Sequence, residues 1–62
     1  MPIVQVELLA GRTVEQKRAM AKEVTDAICK SLGTPPEAVT IIIRDMPHEN
    51  FAKAGVLWTD QK

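Results

Sequence analysis

Apolar and polar side chains alternate at the start of the chain and again near position 40. Even-numbered residues from Pro2 to Leu8 are all apolar, whereas the odd-numbered ones mix apolar and polar side chains. This period of two predicts a β-strand over residues 2–9 with one drier face. A second run predicts a strand over Val39–Arg44, with Val39, Ile41 and Ile43 on one face and Thr40, Ile42 and Arg44 on the other.

The segment between these strands carries the signals of one long helix over Val14–Leu32. Thr13 stands at the N-cap position with Gln16 three residues later, which is the signature of a capping box. Gly33 is a typical residue just past a helix end, and the prolines at 35 and 36 prevent continuation. The predicted apolar stripe of the helix consists of Met20, Val24, Ala27, Ile28 and Leu32.

Strand, helix and strand together predict an α/β fold, a short βαβ protomer with parallel strands and a right-handed crossover. We expect a single domain over residues 1–62, with a turn at residues 47–50 and a tail over residues 51–58 that forms a small hairpin or an extended arm. One helix covers only one face of a two-stranded sheet, so the other face and both edges stay open. We therefore predict a dimer that extends the sheet, and a larger closed assembly of such dimers.

The small size of the chain also favours an oligomer. A chain of 62 residues has a marginal core, and small domains compensate with disulfides, metals or oligomerisation. The single cysteine, Cys29, offers neither a disulfide framework nor zinc-ligand spacing.

Eight basic residues balance eight acidic ones, which disfavours nucleic-acid binding. No apolar run approaches the ~20 residues of a membrane helix, and no secretory signal is visible, so we expect a cytoplasmic protein without a membrane partner.

Pro2 is the first candidate for chemistry, because removal of Met1 would leave a secondary amine at the chain start. A free α-amino group has a reference pKa near ~7.7–8.0, and burial or a nearby cation favours its neutral form. A neutral amine in a pocket is a competent general base. Met-Pro is also a common start of a protein, and proline suits the first position of a strand, so on this pattern alone the structural interpretation prevails.

Other side chains have a functional and a structural interpretation. Arg12 lies in the loop that leads into the helix, where a cation opposes the helix dipole. It could hold a carboxylate with its planar guanidinium or be a solvated arginine. Phe51 could line a pocket or fill an interface. Trp58 is interpreted as an interface anchor, His48 as a solvated surface residue and Cys29 as a packed thiol.

Taken together, these residues resemble the 4-oxalocrotonate tautomerase family over nearly the whole chain. The segments that carry the resemblance are Pro-Ile-x-Gln at 2–5, Leu-Ala-Gly-Arg-Thr-x-Glu-Gln-Lys at 9–17, Glu-Val-Thr-Asp-Ala-Ile at 23–28, Val-Thr-Ile-Ile-Ile at 39–43, Met46 and Phe51. The length and the βαβ pattern agree with the resemblance independently. No single segment is specific, but the combination is.

The resemblance implies a cofactor-independent tautomerase that assembles through dimers into a hexamer, with the amino-terminal proline in a pocket between subunits. It implies that no metal and no organic cofactor is used, and that a 2-hydroxydienoate or related enol carboxylate becomes an α,β-unsaturated ketone. By this analogy Pro2 is the general base and acid, and Arg12 binds a substrate carboxylate and draws electron density toward it. Phe51 supplies an apolar wall. The family also implies a role in aromatic hydrocarbon catabolism.

One departure from the family pattern concerns its second arginine, which falls on Thr40 here. Threonine cannot bind a carboxylate bidentately, so the resemblance does not extend to specificity for dicarboxylates, whereas proton transfer by Pro2 is not affected. Arg44 shares the strand face of Thr40 but lies four residues away, about 13 Å along a strand, and could replace the arginine only across a subunit boundary. A related chain in a heterohexamer could also supply it, so homohexamer and heterohexamer both stay open.

Two alternatives compete with the tautomerase hypothesis. A non-catalytic module that keeps the fold and forms oligomers is favoured by the threonine at position 40 and disfavoured by Pro2, Arg12 and Phe51. A small strand–helix DNA-binding dimer is disfavoured by the zero net charge and by the single long helix.

Overall fold

The computed structural model describes residues 1–61 and confirms the βαβ unit. Strand β1 is Ile3–Leu9, helix α1 is Val14–Leu32, strand β2 is Thr40–Met46, and two short strands, β3 (Ala52–Lys53) and β4 (Val56–Leu57), form the tail. β1 and β2 pair in parallel, in a register that runs from Ile3 opposite Thr40 to Leu9 opposite Met46. Short 3₁₀ turns occupy Pro36–Ala38, His48–Asn50 and Trp58–Asp60.

Helix α1 begins and ends where the sequence predicts. The Thr13 hydroxyl accepts a hydrogen bond from the Gln16 backbone N–H at 3.1 Å, and the Gln16 side-chain oxygen accepts one from the Thr13 N–H at 2.9 Å. These reciprocal bonds satisfy backbone donors that the first helical turn leaves without partners. Gly33 ends the helix with φ at 71°, a left-handed conformation that glycine adopts without steric cost.

The buried stripe of α1 differs in part from the prediction. The half-buried helical positions recur every three or four residues: Lys17, Met20, Ala21, Val24, Thr25, Ile28 and Cys29. Ala27 and Leu32, which were predicted to belong to the stripe, are exposed in the single chain. Leu32 lies beyond the sheet because a helix of 19 residues is about 28 Å long, whereas strands of 7 residues span about 23 Å.

Strand β2 is shifted relative to the predicted range Val39–Arg44. It begins one residue later and continues for two more residues, because β1 pairs with it as far as Met46. The Ala10 N–H then donates to the Met46 carbonyl at 2.8 Å and closes this end of the sheet. At the other end, strand β1 begins at Ile3 rather than at residue 2. The exposed, charged Asp45 breaks the apolar alternation, which is why the pattern underestimates the strand.

One face of the sheet is covered by α1 and the other is open. Val4, Val6 and Leu8 on the covered face are half-buried, whereas the alternate β1 residues from Ile3 to Glu7 are exposed. Ile3 retains 55% of its surface, which is unusual for a large aliphatic side chain in a strand. The open face carries Ile3, Gln5, Glu7, Leu9, Thr40, Ile42, Arg44 and Met46. This set is called the open sheet face below.

The described part of a single chain, residues 1–61, does not enclose a core. No side chain among residues 1–61 is fully buried. The radius of gyration is 14.9 Å, against about 11 Å for a compact chain of this length. The accessible surface is 4840 Å², against about 4,000 Å² for a folded monomer of 6.8 kDa. The chain is a slab with a thickness of 14 Å. Its exposed apolar surface agrees with the predicted assembly.

The tail forms the small hairpin that was one of its two predicted structures. β3 and β4 pair antiparallel, and the two turn residues between them, Ala54 and Gly55, both have positive φ, at 54° and 81°. Two consecutive residues with positive φ are typical of the tightest hairpin turns. In the part of the chain that the structure describes, no helix is long and apolar enough to span a membrane.

Candidate active site

Pro2 lies where the sheet begins, at an exposed end of the chain. Its carbonyl accepts a hydrogen bond from the Thr40 N–H at 3.0 Å, which ties the residue to the first position of β2. Proline has no backbone N–H, so its nitrogen leaves no donor unsatisfied at this position. Met1, by contrast, is 88% exposed. While Met1 is attached, the Pro2 nitrogen belongs to an amide and is not basic.

Arg12 lies at the opposite end of the sheet, beside a shallow cleft of about 190 Å³ lined by Leu8, Arg12, Gln16, Lys17 and Met20. Gly11, with φ at 129°, makes the turn from β1 toward the helix in a conformation that other residues rarely adopt. Arg12 is exposed and forms no ion pair with any of residues 1–61. Its guanidinium is therefore free to bind an anion. This group of five residues is called the Arg12 cleft below.

Pro2 and Arg12 do not meet within one chain. The seven residue steps from Pro2 to Leu9 span about 23 Å of extended backbone, and Arg12 lies beyond the end of that strand. Any site that uses both residues must therefore combine two subunits. This separation is consistent with the predicted pocket between subunits, which a single protomer cannot contain.

Phe51 lies in the segment that leaves the carboxyl end of β2, the same end of the sheet as Arg12. It is half-buried and packs edge-to-face on Trp58, with ring centroids 5.8 Å apart and an angle of 63° between the planes. The backbone N–H of Trp58 donates to the Phe51 carbonyl at 2.7 Å. These contacts join the hairpin to the preceding turn, so the two aromatic residues fix the direction of the arm.

Thr40, which stands where the family has its second arginine, and Arg44, its possible replacement, lie at different places on β2. Thr40 is exposed and adjacent to Pro2, to which its N–H donates. Arg44 lies opposite Glu7 in the register, and its Nη1 donates to Glu7 Oε2 at 2.9 Å. Arg44 thus has a carboxylate partner in its own chain. Its sequence position gave no indication of this, because the register of two strands is a tertiary property.

Sequence reasoning missed one ion pair in this region. Lys17, which its charge assigns to the solvated face of the helix, lines the Arg12 cleft, and its Nζ lies 2.5 Å from Asp45 Oδ2 on β2. The pair joins the first turns of α1 to the end of the sheet. The sequence signal was the charged residue at position 45, which falls on the strand face that otherwise carries Ile41 and Ile43.

Comparison with known proteins identifies the chain. A family model described as "Tautomerase enzyme" matches residues 2–61. The chain belongs to the tautomerase family. A protein of Streptococcus pneumoniae serotype 4 named "Probable tautomerase" is 48% identical to this tautomerase over 59 residues, which cover 95% of this chain and 98% of that protein.

Solved structures support the same family. The 4-oxalocrotonate tautomerase isozymes from Methylibium petroleiphilum include a chain with 41% identity and a TM-score of 0.89, with 94% of this tautomerase and 91% of that chain covered. A 4-oxalocrotonate tautomerase homologue, TTHB242, has 34% identity and a TM-score of 0.92, and the match covers 100% and 98% of the two chains. The predicted resemblance is confirmed: this tautomerase is an isomerase of the 4-oxalocrotonate tautomerase family.

Proposed function

We propose that this tautomerase converts a 2-hydroxydienoate or a related enol carboxylate into its keto form, with Pro2 as general base and general acid. The observation that carries the proposal is the position of Pro2. Its carbonyl is fixed to Thr40, while its nitrogen lies at the exposed end that Met1 occupies. Once Met1 is removed, a secondary amine stands at a defined place on a rigid element.

Pairing of two β1 edges would unite the separated residues. If two copies pair antiparallel along β1, the start of one strand meets the end of the other. Pro2 of one subunit then lies beside the Arg12 cleft of its partner. By the two-fold symmetry of the dimer, the same contact recurs at the other end of the paired strands. Pairing along β2 would instead leave Pro2 apart from Arg12. We therefore propose a homodimer through β1 as the unit of a hexamer, with the open sheet face as a further contact between dimers.

The proposed reaction moves one proton. The neutral Pro2 amine takes the proton of the 2-hydroxyl group, the C2–O bond becomes a carbonyl, and the diene electrons shift toward the distal carbon. The ammonium of Pro2 then returns the proton to that carbon, so no co-reactant is consumed. Arg12 holds the carboxylate and stabilises the negative charge that develops next to it. Phe51 forms an apolar wall, which favours the neutral amine because burial disfavours its charged form.

The mature protein should lack Met1. Met1 is exposed and is followed by proline, so nothing in the fold shields it from removal. Intact-mass spectrometry of protein isolated from its own cells should show a chain lighter by one methionine residue. A matched sample in which Met1 is retained should have no tautomerase activity. Retention of Met1 throughout the cellular protein would contradict the role of Pro2.

Replacing Arg12 by alanine should weaken turnover of acidic enols. Loss of a charge-assisted hydrogen-bonded pair costs about 1.5–3 kcal/mol, which corresponds to a decrease in kcat/KM of roughly 10- to 150-fold. Most of the change should be in KM, with a smaller loss in kcat. Arg18→Ala is the matched control, because Arg18 is an exposed arginine of α1 that does not line the cleft. Equal kinetics for the two variants would exclude Arg12 from the site.

A further inference from the structure

The Arg12 cleft contains two cations, but only one of them is available to a ligand. Arg12 has no carboxylate partner among residues 1–61, whereas Lys17 is paired with Asp45. The Lys17–Asp45 pair is also better shielded from water than the exposed Lys22–Asp26 pair, with side-chain exposures of 28% and 38% against 78% and 62%. Arg44, on the open sheet face, is likewise paired with Glu7. Among residues 1–61 of one chain, the cleft therefore offers a single free positive charge.

We propose, on the basis of the proposed function, that the site selects enol substrates with one carboxylate over those with two, and that Asp45 sets this selectivity by holding Lys17. Asp45 is a positioning residue in this proposal, because it acts through Lys17 and not on the substrate.

The lining of the cleft supports the inference. Beside Arg12 and Lys17 it consists of Leu8, Met20 and Gln16. The side-chain oxygen of Gln16 already accepts the Thr13 N–H in the capping box. Two apolar side chains suit an uncharged substrate tail. A second carboxylate would have to lie near the Asp45 carboxylate or displace it from Lys17, and like charges brought together in a partly desolvated site repel each other.

The first test measures binding to the processed wild-type oligomer by calorimetry at low salt. The probes are 2-oxohexanoate and 2-oxohexanedioate, which differ in one terminal carboxylate. We expect the monocarboxylate to bind about 10-fold more tightly, the effect of about 1.4 kcal/mol of repulsion. Equal affinity, tighter binding of the dicarboxylate, or no binding of either acid would overturn the inference.

The second test changes the charge partner of Lys17. Asp45→Asn frees Lys17 and should improve the affinity for the dicarboxylate relative to the monocarboxylate by about 10-fold. The matched control is Asp26→Asn, which removes the partner of Lys22 on the exposed helix face and makes the same change in net charge. The control should leave the affinity ratio unchanged. An equal shift in both variants would mean that net charge alone sets the ratio, and would overturn the role of Asp45.

Two further variants keep the inference testable if Asp45→Asn does not fold. Asp45→Glu retains the charge and should retain the preference for the monocarboxylate. Lys17→Gln leaves Asp45 without its cation and should shift the ratio further toward the monocarboxylate, opposite to Asp45→Asn. A shift toward the dicarboxylate in either variant would overturn the inference.

These binding ratios do not depend on proton transfer, so they separate the inference from the proposed function. A monocarboxylate preference without Pro2-dependent turnover would overturn the proposed function and leave the selectivity standing. Pro2-dependent turnover with a preference for dicarboxylates would overturn the selectivity and leave the proposed function standing.

Discussion

Replacing Pro2 by alanine should lower kcat for a 2-hydroxydienoate by about 100-fold or more, because the flexible primary amine of alanine loses the fixed position that an effective general acid–base needs. The residues next to Pro2 in the chain and in the strand register, Met1, Ile3 and Thr40, carry side chains that do not titrate. Alanine keeps a free terminal amine after removal of Met1. The variant therefore tests whether the fixed geometry and the secondary amine of proline are needed, and not whether a terminal amine is needed.

The measurement is the decay of dienol absorbance under single-turnover and steady-state conditions, on protein whose processing is verified by mass. Pro35→Ala is a suitable control because Pro35 is exposed and precedes the turn at Pro36–Ala38, on a different connection of the fold. The control should keep wild-type kinetics. Turnover of the Pro2 variant within about 10-fold of wild type would show that the fixed geometry and the secondary amine of proline are not required for proton transfer.

Placing a charge on the open sheet face should abolish both assembly and activity. Ile42 lies in the middle of β2, opposite Gln5, on the face that α1 does not cover. In Ile42→Glu, an unpaired carboxylate would have to be buried in the proposed contact between dimers, which costs several kcal/mol. The proposed hexamer should dissociate, and turnover should fall by about 100-fold or more, since 3 kcal/mol already corresponds to more than that factor.

Sedimentation velocity and turnover should be measured at the same protein concentration, with circular dichroism to follow the helix. Ala19→Glu is the matched control, because it adds the same charge on the exposed face of α1, outside the half-buried stripe. It should remain assembled and active. A folded Ile42→Glu monomer with full activity would contradict a site shared between subunits.

Local sequence signals were sufficient for the elements of secondary structure. The capping box at Thr13 and the glycine at position 33 place both ends of α1, because caps act through hydrogen bonds and dihedral angles within a few residues. The two alternating runs give the strands, and the length of the connection makes them parallel. Prediction was weaker where tertiary contacts decide the outcome, as with the exposure of Ala27 and Leu32 and the continuation of β2 to Met46.

The candidate site shows the same division. Sequence pattern and family resemblance identify Pro2, Arg12 and Phe51, and they identify the threonine at position 40 as a departure. They do not show which cations are already neutralised. The pairs Lys17–Asp45 and Arg44–Glu7 join residues 28 and 37 positions apart, and such pairs follow from strand register and helix placement. The roles of Pro2, Arg12 and Phe51, together with a cytoplasmic location and a role in aromatic hydrocarbon catabolism, stay predictions.

The sequence by itself determined the βαβ order, the helix limits and the family, and it predicted an oligomer, because periodicity, capping and chain length act locally or through total surface. Only the tertiary structure decided that Pro2 and Arg12 lie at opposite ends of one sheet, and that, among residues 1–61, Lys17 of the cleft has a carboxylate partner and Arg12 has none. The physical reason is that distance and charge pairing between remote residues depend on how strands align and on where the helix lies across them.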